Sequence, residues 1–166
     1  MKNPLFQYVL SLADDALIIG QRLSEWAYRA PFLEEDIALS NISLDLFGRA
    51  NLLLEYASEI KGGGTSADEL AFKRNEREFF NHLLCEQPNG DFGKTIVRQF
   101  FFDSFYLLFL TRLTKSKDPQ LTAISQKSLK EVTYHFRHSS QWVIRLGAGT
   151  QESHEKLQNA VNVLWV

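Results

Sequence analysis

The stretch DPQLTAISQKSLKEVTYHFRHSSQWVIRL, Asp118 to Leu146, reads as one long helix with a glutamate and two histidines along a single stripe. Residues three or four apart on a helix stack over one another, so Leu121, Ile124, Ser128, Glu131, His135, His138 and Trp142 share one side. Asp118 is suited to cap this helix and Pro119 to fill its first turn, while Gly147 and Gly149 mark its end. Helical bundles that hold two irons use Glu-x-x-His pairs, because a spacing of three aims an oxygen and a nitrogen at one metal. Glu131 and His135 are four apart. That mismatch governs the reading of the rest of the chain.

On the N-terminal side, every long segment repeats at the helical period and none alternates like a strand. Leu5 to Tyr28 is expected to form a first helix, stopped by Pro31. A second opens at Glu34, Glu35 and Asp36 and ends at Gly62, Gly63 and Gly64. With Ile37, Ile42, Leu44, Leu52, Leu53 and Tyr56 it reads as long and mostly buried. Ser66-Ala-Asp-Glu69 is a capping box that opens a shorter helix through Phe79, Phe80, Leu83 and Leu84. The charges of that segment, Lys73, Arg74, Glu76, Arg77 and Glu78, read as a solvated face.

The turn formers Gln87 to Asp91 break the pattern, and Phe92 to Leu113 follows as a third long helix with aromatic residues around nearly its whole circumference. One carboxylate, Asp103, sits among those rings. After the quoted stretch, Glu155 to Val166 forms a last amphipathic run that stops in mid-helix. An apolar Leu-Trp-Val end leads us to expect a chain that is cut short or completed by another. The fold class is therefore all-α: a four-helix bundle with additional short helices, in a single domain over residues 1–166.

Composition narrows the classes of function. The 166 residues are 45% hydrophobic and 13% aromatic, enough for one sizeable core. A net charge of -2, with basic residues scattered among acids, argues against nucleic acid and against an anionic membrane as partners. Asp14, Asp15, Asp45 and Asp103 interrupt every apolar run before it reaches the length of a membrane span. A single cysteine, Cys85, and an N-terminus without a signal-peptide pattern point to a reducing, cytoplasmic setting. Cys85, with His82 three residues before it, reads as inert core. No glycine-rich phosphate loop or nucleophile elbow is present.

The polar groups on the bundle stripes are the candidates for chemistry. A di-iron site needs about six protein ligands. Here Asp45 is followed three residues on by Gly48, and His135 is preceded three residues earlier by Val132. One imidazole among carboxylates is a poor cradle for two irons. We therefore expect no metal, cofactor or catalytic residue in this chain. Asp45, Asp103, Glu131 and His135, with Arg98 or Lys130, are expected instead to form a buried polar network that takes the place of a metal. An autonomous ferritin-like di-iron oxidoreductase or iron carrier using Glu131, His135 and Asp103 is the alternative.

The segments Gln21-Arg-Leu-Ser-Glu-Trp26, Asn41-Ile-Ser-Leu-Asp-Leu-Phe-Gly48, Glu86-Gln-Pro-Asn-Gly90 and Asp118-Pro-Gln-Leu121, with Lys130-Glu131 and Tyr134-His135, carry a resemblance. They are similar to the C subunits of bacterial phenylacetyl-CoA epoxidase complexes, from the N-terminus to about Trp165, and such chains continue further with more helix. The resemblance implies a ferritin-like bundle that is the non-catalytic partner of a homologous A subunit. In that family the A subunit binds two irons and the CoA thioester, and NADPH reduces it through a separate flavin and iron-sulfur reductase. It implies a hetero-oligomer with the A subunit and the other oxygenase subunits, with a homodimer as the form of the isolated chain. The aromatic excess in Phe100 to Phe109 and at Phe79 and Phe80 fits such an interface, or a surface covered by further helices of the family fold.

Overall fold

The computed structural model describes residues 3–165, and its only regular elements among them are helices. They fall into two compact units that divide between Glu86 and Gln87.

In the first unit, α1 (Pro4–Ser24) and α2 (Leu33–Lys61) form a helical hairpin. Asn3 caps α1 by accepting from the N–H groups of Leu5 and Phe6. The helix ends earlier than its apolar pattern suggests. The N–H groups of Trp26, Ala27 and Arg29 turn to carbonyls three residues back, and Tyr28 takes a φ of 64°. No side chain caps α2, but Glu34, Glu35 and Asp36 in its first turn face the positive end of the helix dipole. The two helices are in close contact at Gly20, where an added Cβ would lie 3.1 Å from the Phe47 ring. There Ser43 also donates to the Gly20 carbonyl at 2.8 Å.

Contrary to the expectation of a mostly buried helix, α2 buries one side only. Leu39, Ile42, Leu46, Leu53 and Leu54 are buried, whereas Leu33, Ile37 and Leu44 are exposed. A single shorter helix from Ser66 to Leu84 does not form either. The capping box is present, with Ser66 and Glu69 bonded reciprocally, but α3 covers only Ala67–Phe72. A 3-10 turn at Glu76–Glu78 and the short α4 (Leu83–Glu86) follow. Between them the chain is held by acceptors on α1, described below.

The second unit contains α5 (Phe92–Leu113), α6 (Pro119–Gly147) and α7 (Gln151–Leu164). Asp91 and Asp118 cap the first two through the N–H groups of Lys94 and Leu121. The α5–α6 hairpin is laced by rings: Phe92 meets Trp142 edge-on at 5.1 Å, and Phe100 stacks on Phe136 at 5.8 Å. The last helix begins four residues before Glu155, because the Thr150 hydroxyl accepts from the N–H of Ser153. No helix among the described residues is long and apolar enough to cross a membrane.

Candidate functional site

In the second unit the polar stripe centres on Asp103, which is fully buried. Its Oδ1 accepts from Gln99 Nε2 at 2.7 Å, and its Oδ2 accepts from Ser139 Oγ at 2.8 Å. Both donors are themselves buried, so the carboxylate exchanges water for two directed bonds. His135 is also buried, with its ring edge-on to Tyr134. Glu131 is half-buried. The buried side of α6 runs through Leu121, Ser125, Ser128, Val132, His135 and Ser139. Ile124 is buried there too, so the stripe expected from the spacing holds at Leu121, Ile124, Ser128 and His135, while Glu131, His138 and Trp142 are half-buried at its edge. Ser139 is the residue that the spacing argument passed over.

Arg98 is buried and donates to the Gln87 carbonyl and to Asn89 Oδ1, each at 2.7 Å, which pins the turn ahead of α5. Lys130 is exposed. Asp45 is half-buried on α2, in the first unit. As a donor set for two irons these residues do not fit. The buried Val132 occupies the position where a Glu-x-x-His pair needs its carboxylate, and each Asp103 oxygen is turned to a protein donor, Gln99 or Ser139. Among the described residues no group of three or more His, Cys, Asp or Glu side chains is placed to hold a metal ion.

The first unit carries a second polar centre that sequence reasoning missed. Asp14 and Asp15, read only as interruptions of an apolar run, are both buried on α1. Asp14 receives both terminal nitrogens of Arg74 and the N–H of Phe80. Arg74 is thus not part of a solvated face: its side chain is only 9% exposed, and it lies 4.0 Å over the Phe79 ring. Asp15 accepts the His82 N–H at 2.7 Å, faces His82 Nδ1 at 2.7 Å, and lies 3.6 Å from the buried Cys85 thiol. Two neighbouring carboxylates thereby fasten the irregular segment from Arg74 to Cys85 onto α1. The signal was present in the sequence as two adjacent acids inside an apolar helix, where burial demands partners.

Comparison with known proteins agrees with the residue patterns. Residues 1–166 match the model of the family described as phenylacetic acid catabolic protein. The chain is 53% identical over 163 residues to the C subunit of 1,2-phenylacetyl-CoA epoxidase from Escherichia coli strain K12. That alignment covers 98% of this chain and 65% of the relative, so the chain spans about two thirds of the relative's length. With a match over its full length, the chain belongs to the phenylacetic acid catabolic protein family.

Proposed function

We infer that this chain serves as a non-catalytic structural subunit of a multicomponent oxygenase that epoxidises phenylacetyl-CoA in aerobic phenylacetate catabolism. It stabilises a homologous di-iron A subunit and holds no iron, flavin, iron-sulfur cluster or NADPH of its own. The observation that carries this reading is the 53% identity to the C subunit of an epoxidase. The lost ligand spacings around Asp45 and His135 support it, as does the commitment of Asp103 to Gln99 and Ser139. Exposed apolar residues such as Leu33, Ile37 and Leu44 on α2, and Phe105 and Leu108 on α5, suit a protein that works in a cytoplasmic hetero-oligomer.

Co-expression with the A subunit tests the proposal. The two chains are expected to co-purify, with iron in proportion to the A subunit and ring epoxidation supported by the reductase. This chain alone is expected to contain no stoichiometric iron. Two irons per chain in the isolated protein, or an A subunit fully soluble and active by itself, would overturn the reading.

A further inference from the structure

A cleft of about 670 Å³ opens in the first unit, bounded by the start of α1, the end of α2, α3 and the 3-10 turn. Its volume lies within the range of small-molecule sites. Leu10 and Leu70, each 2% exposed, form the floor, and the Phe6 and Phe80 side chains stand at the sides. Phe80 remains 47% exposed, so part of its ring has no protein cover.

The charges around this apolar floor do not cancel. Lys73 is paired with Glu69 at 2.7 Å, and Arg74 is neutralised by Asp14. Glu78 faces back to accept from Asn75, through its N–H and its side-chain amide. Lys61 and Arg77 also line the cleft, both are exposed, and neither makes an ion pair with any described residue. Setting these two cations against Glu78 leaves an excess of one positive charge beside an apolar wall.

The geometry points to a binding site for a small amphipathic monoanion, an apolar body bearing one carboxylate. The body lies on Leu10, Leu70 and Phe80, and the carboxylate lies between Lys61 and Arg77. The cleft lies in the first unit and the Asp103 centre in the second, and the assignment does not depend on the structural role proposed above.

Calorimetric titration of the full chain with octanoate, octanol and octylamine tests this assignment, with Lys61→Glu/Arg77→Glu as the charge-reversed variant. Both substitutions are at exposed positions, and circular dichroism checks that the helices persist. Octanoate is expected to bind saturably and more tightly than octanol. Reversing both charges is expected to weaken octanoate by roughly tenfold or more, since each exposed ion pair contributes a small increment. The variant should also reverse the preference between octanoate and octylamine. Equal binding of octanoate and octanol, no saturable octanoate binding, or an affinity unchanged by the double reversal would each overturn the assignment.

Discussion

His82 occupies both oxygens of the buried Asp15 carboxylate, donating its backbone N–H to Oδ1 and placing Nδ1 against Oδ2, each at 2.7 Å. The two contacts are not equivalent. The imidazole end is 64% exposed, so its contact with the carboxylate is screened by water and worth at most about 1 kcal/mol. The backbone bond to a buried carboxylate is worth about 1.5–3 kcal/mol. His82→Ala should therefore lower the urea stability only slightly, whereas Asp15→Ala should cost about 2–4 kcal/mol and open the segment near His82 to proteolysis. Equal losses in the two variants would show that the ring, not the backbone, anchors this segment.

Arg74 and Asp14 make a stricter test, because Asp14 is buried, the Arg74 side chain is only 9% exposed and the guanidinium is bidentate. Removing one partner strands the other. Arg74→Met should destabilise the chain by about 3–5 kcal/mol, and the double change Arg74→Met/Asp14→Leu should recover a substantial part of that loss. Recovery is bounded by Phe80, whose N–H also depends on Asp14. Chemical denaturation of these two variants together with Asp14→Leu gives the coupling directly.

These two acids also explain which parts of the fold were legible. The Asp91 and Asp118 caps, Pro119, the Ser66–Glu69 capping box and the Gly62 stop act over one helix turn, so short sequence windows contain the whole cause. The segment from Arg74 to Cys85 takes its shape from acceptors on α1 some sixty residues away, and no local pattern encodes that. In the Asp103 centre, the carboxylate was legible because a polar group stands out among apolar neighbours. Ser139 was not, because a serine in a helix carries no comparable signal. The stripe met the buried face at Leu121, Ile124, Ser128 and His135, but at Glu131 and His138 the choice followed the chemistry of the residues, and packing buries Val132 and Ser139 instead.

The glycines at the end of α2 and within it should respond in opposite senses. Gly62 has φ 66° and ψ -160°, a region that side chains avoid. Gly62→Ala is expected to cost about 1–3 kcal/mol for that reason. Gly48 lies inside α2, and an added Cβ there meets nothing within 4 Å. Gly48→Ala should stabilise the chain by about 0.5–1 kcal/mol through helix propensity alone. Thermal unfolding of both variants separates the two; a loss in Gly48→Ala would mean that its open face is needed for packing.

Glu69 gives the capping box of α3 a pH dependence. Its carboxyl is held below the usual range chiefly by the hydrogen bond from Lys73, then by the Ser66 N–H, with the Lys73 charge and the more distant Lys61 charge adding to it. A lowered folded-state value means that its contribution is complete above the ordinary carboxylate range and is lost as the pH falls through the lowered value. Protection of the α3 amides against hydrogen exchange should thus decline below about pH 4.5, the unperturbed value. In Lys73→Met the decline should be smaller and should be complete at a higher pH, because the folded-state value moves back toward the unperturbed one. An acid limb identical in the two proteins would remove Lys73 as its cause.

Asp103 separates a structural acceptor from a metal ligand. Asn at this position keeps the shape and one carbonyl oxygen, so it can still accept from either Gln99 or Ser139 but no longer from both as an anion. Asp103→Asn is expected to cost about 1–3 kcal/mol, and Ser139→Ala about 1–2 kcal/mol, in urea unfolding. If the carboxylate acts only by holding α5 and α6 together, a complex co-expressed with the A subunit should keep its iron content in both variants. The loss should appear instead as a lower unfolding temperature of the complex. Iron lost in parallel with the Asp103 charge, at unchanged stability, would identify the carboxylate as a ligand and reverse the assignment of this chain as the non-catalytic partner.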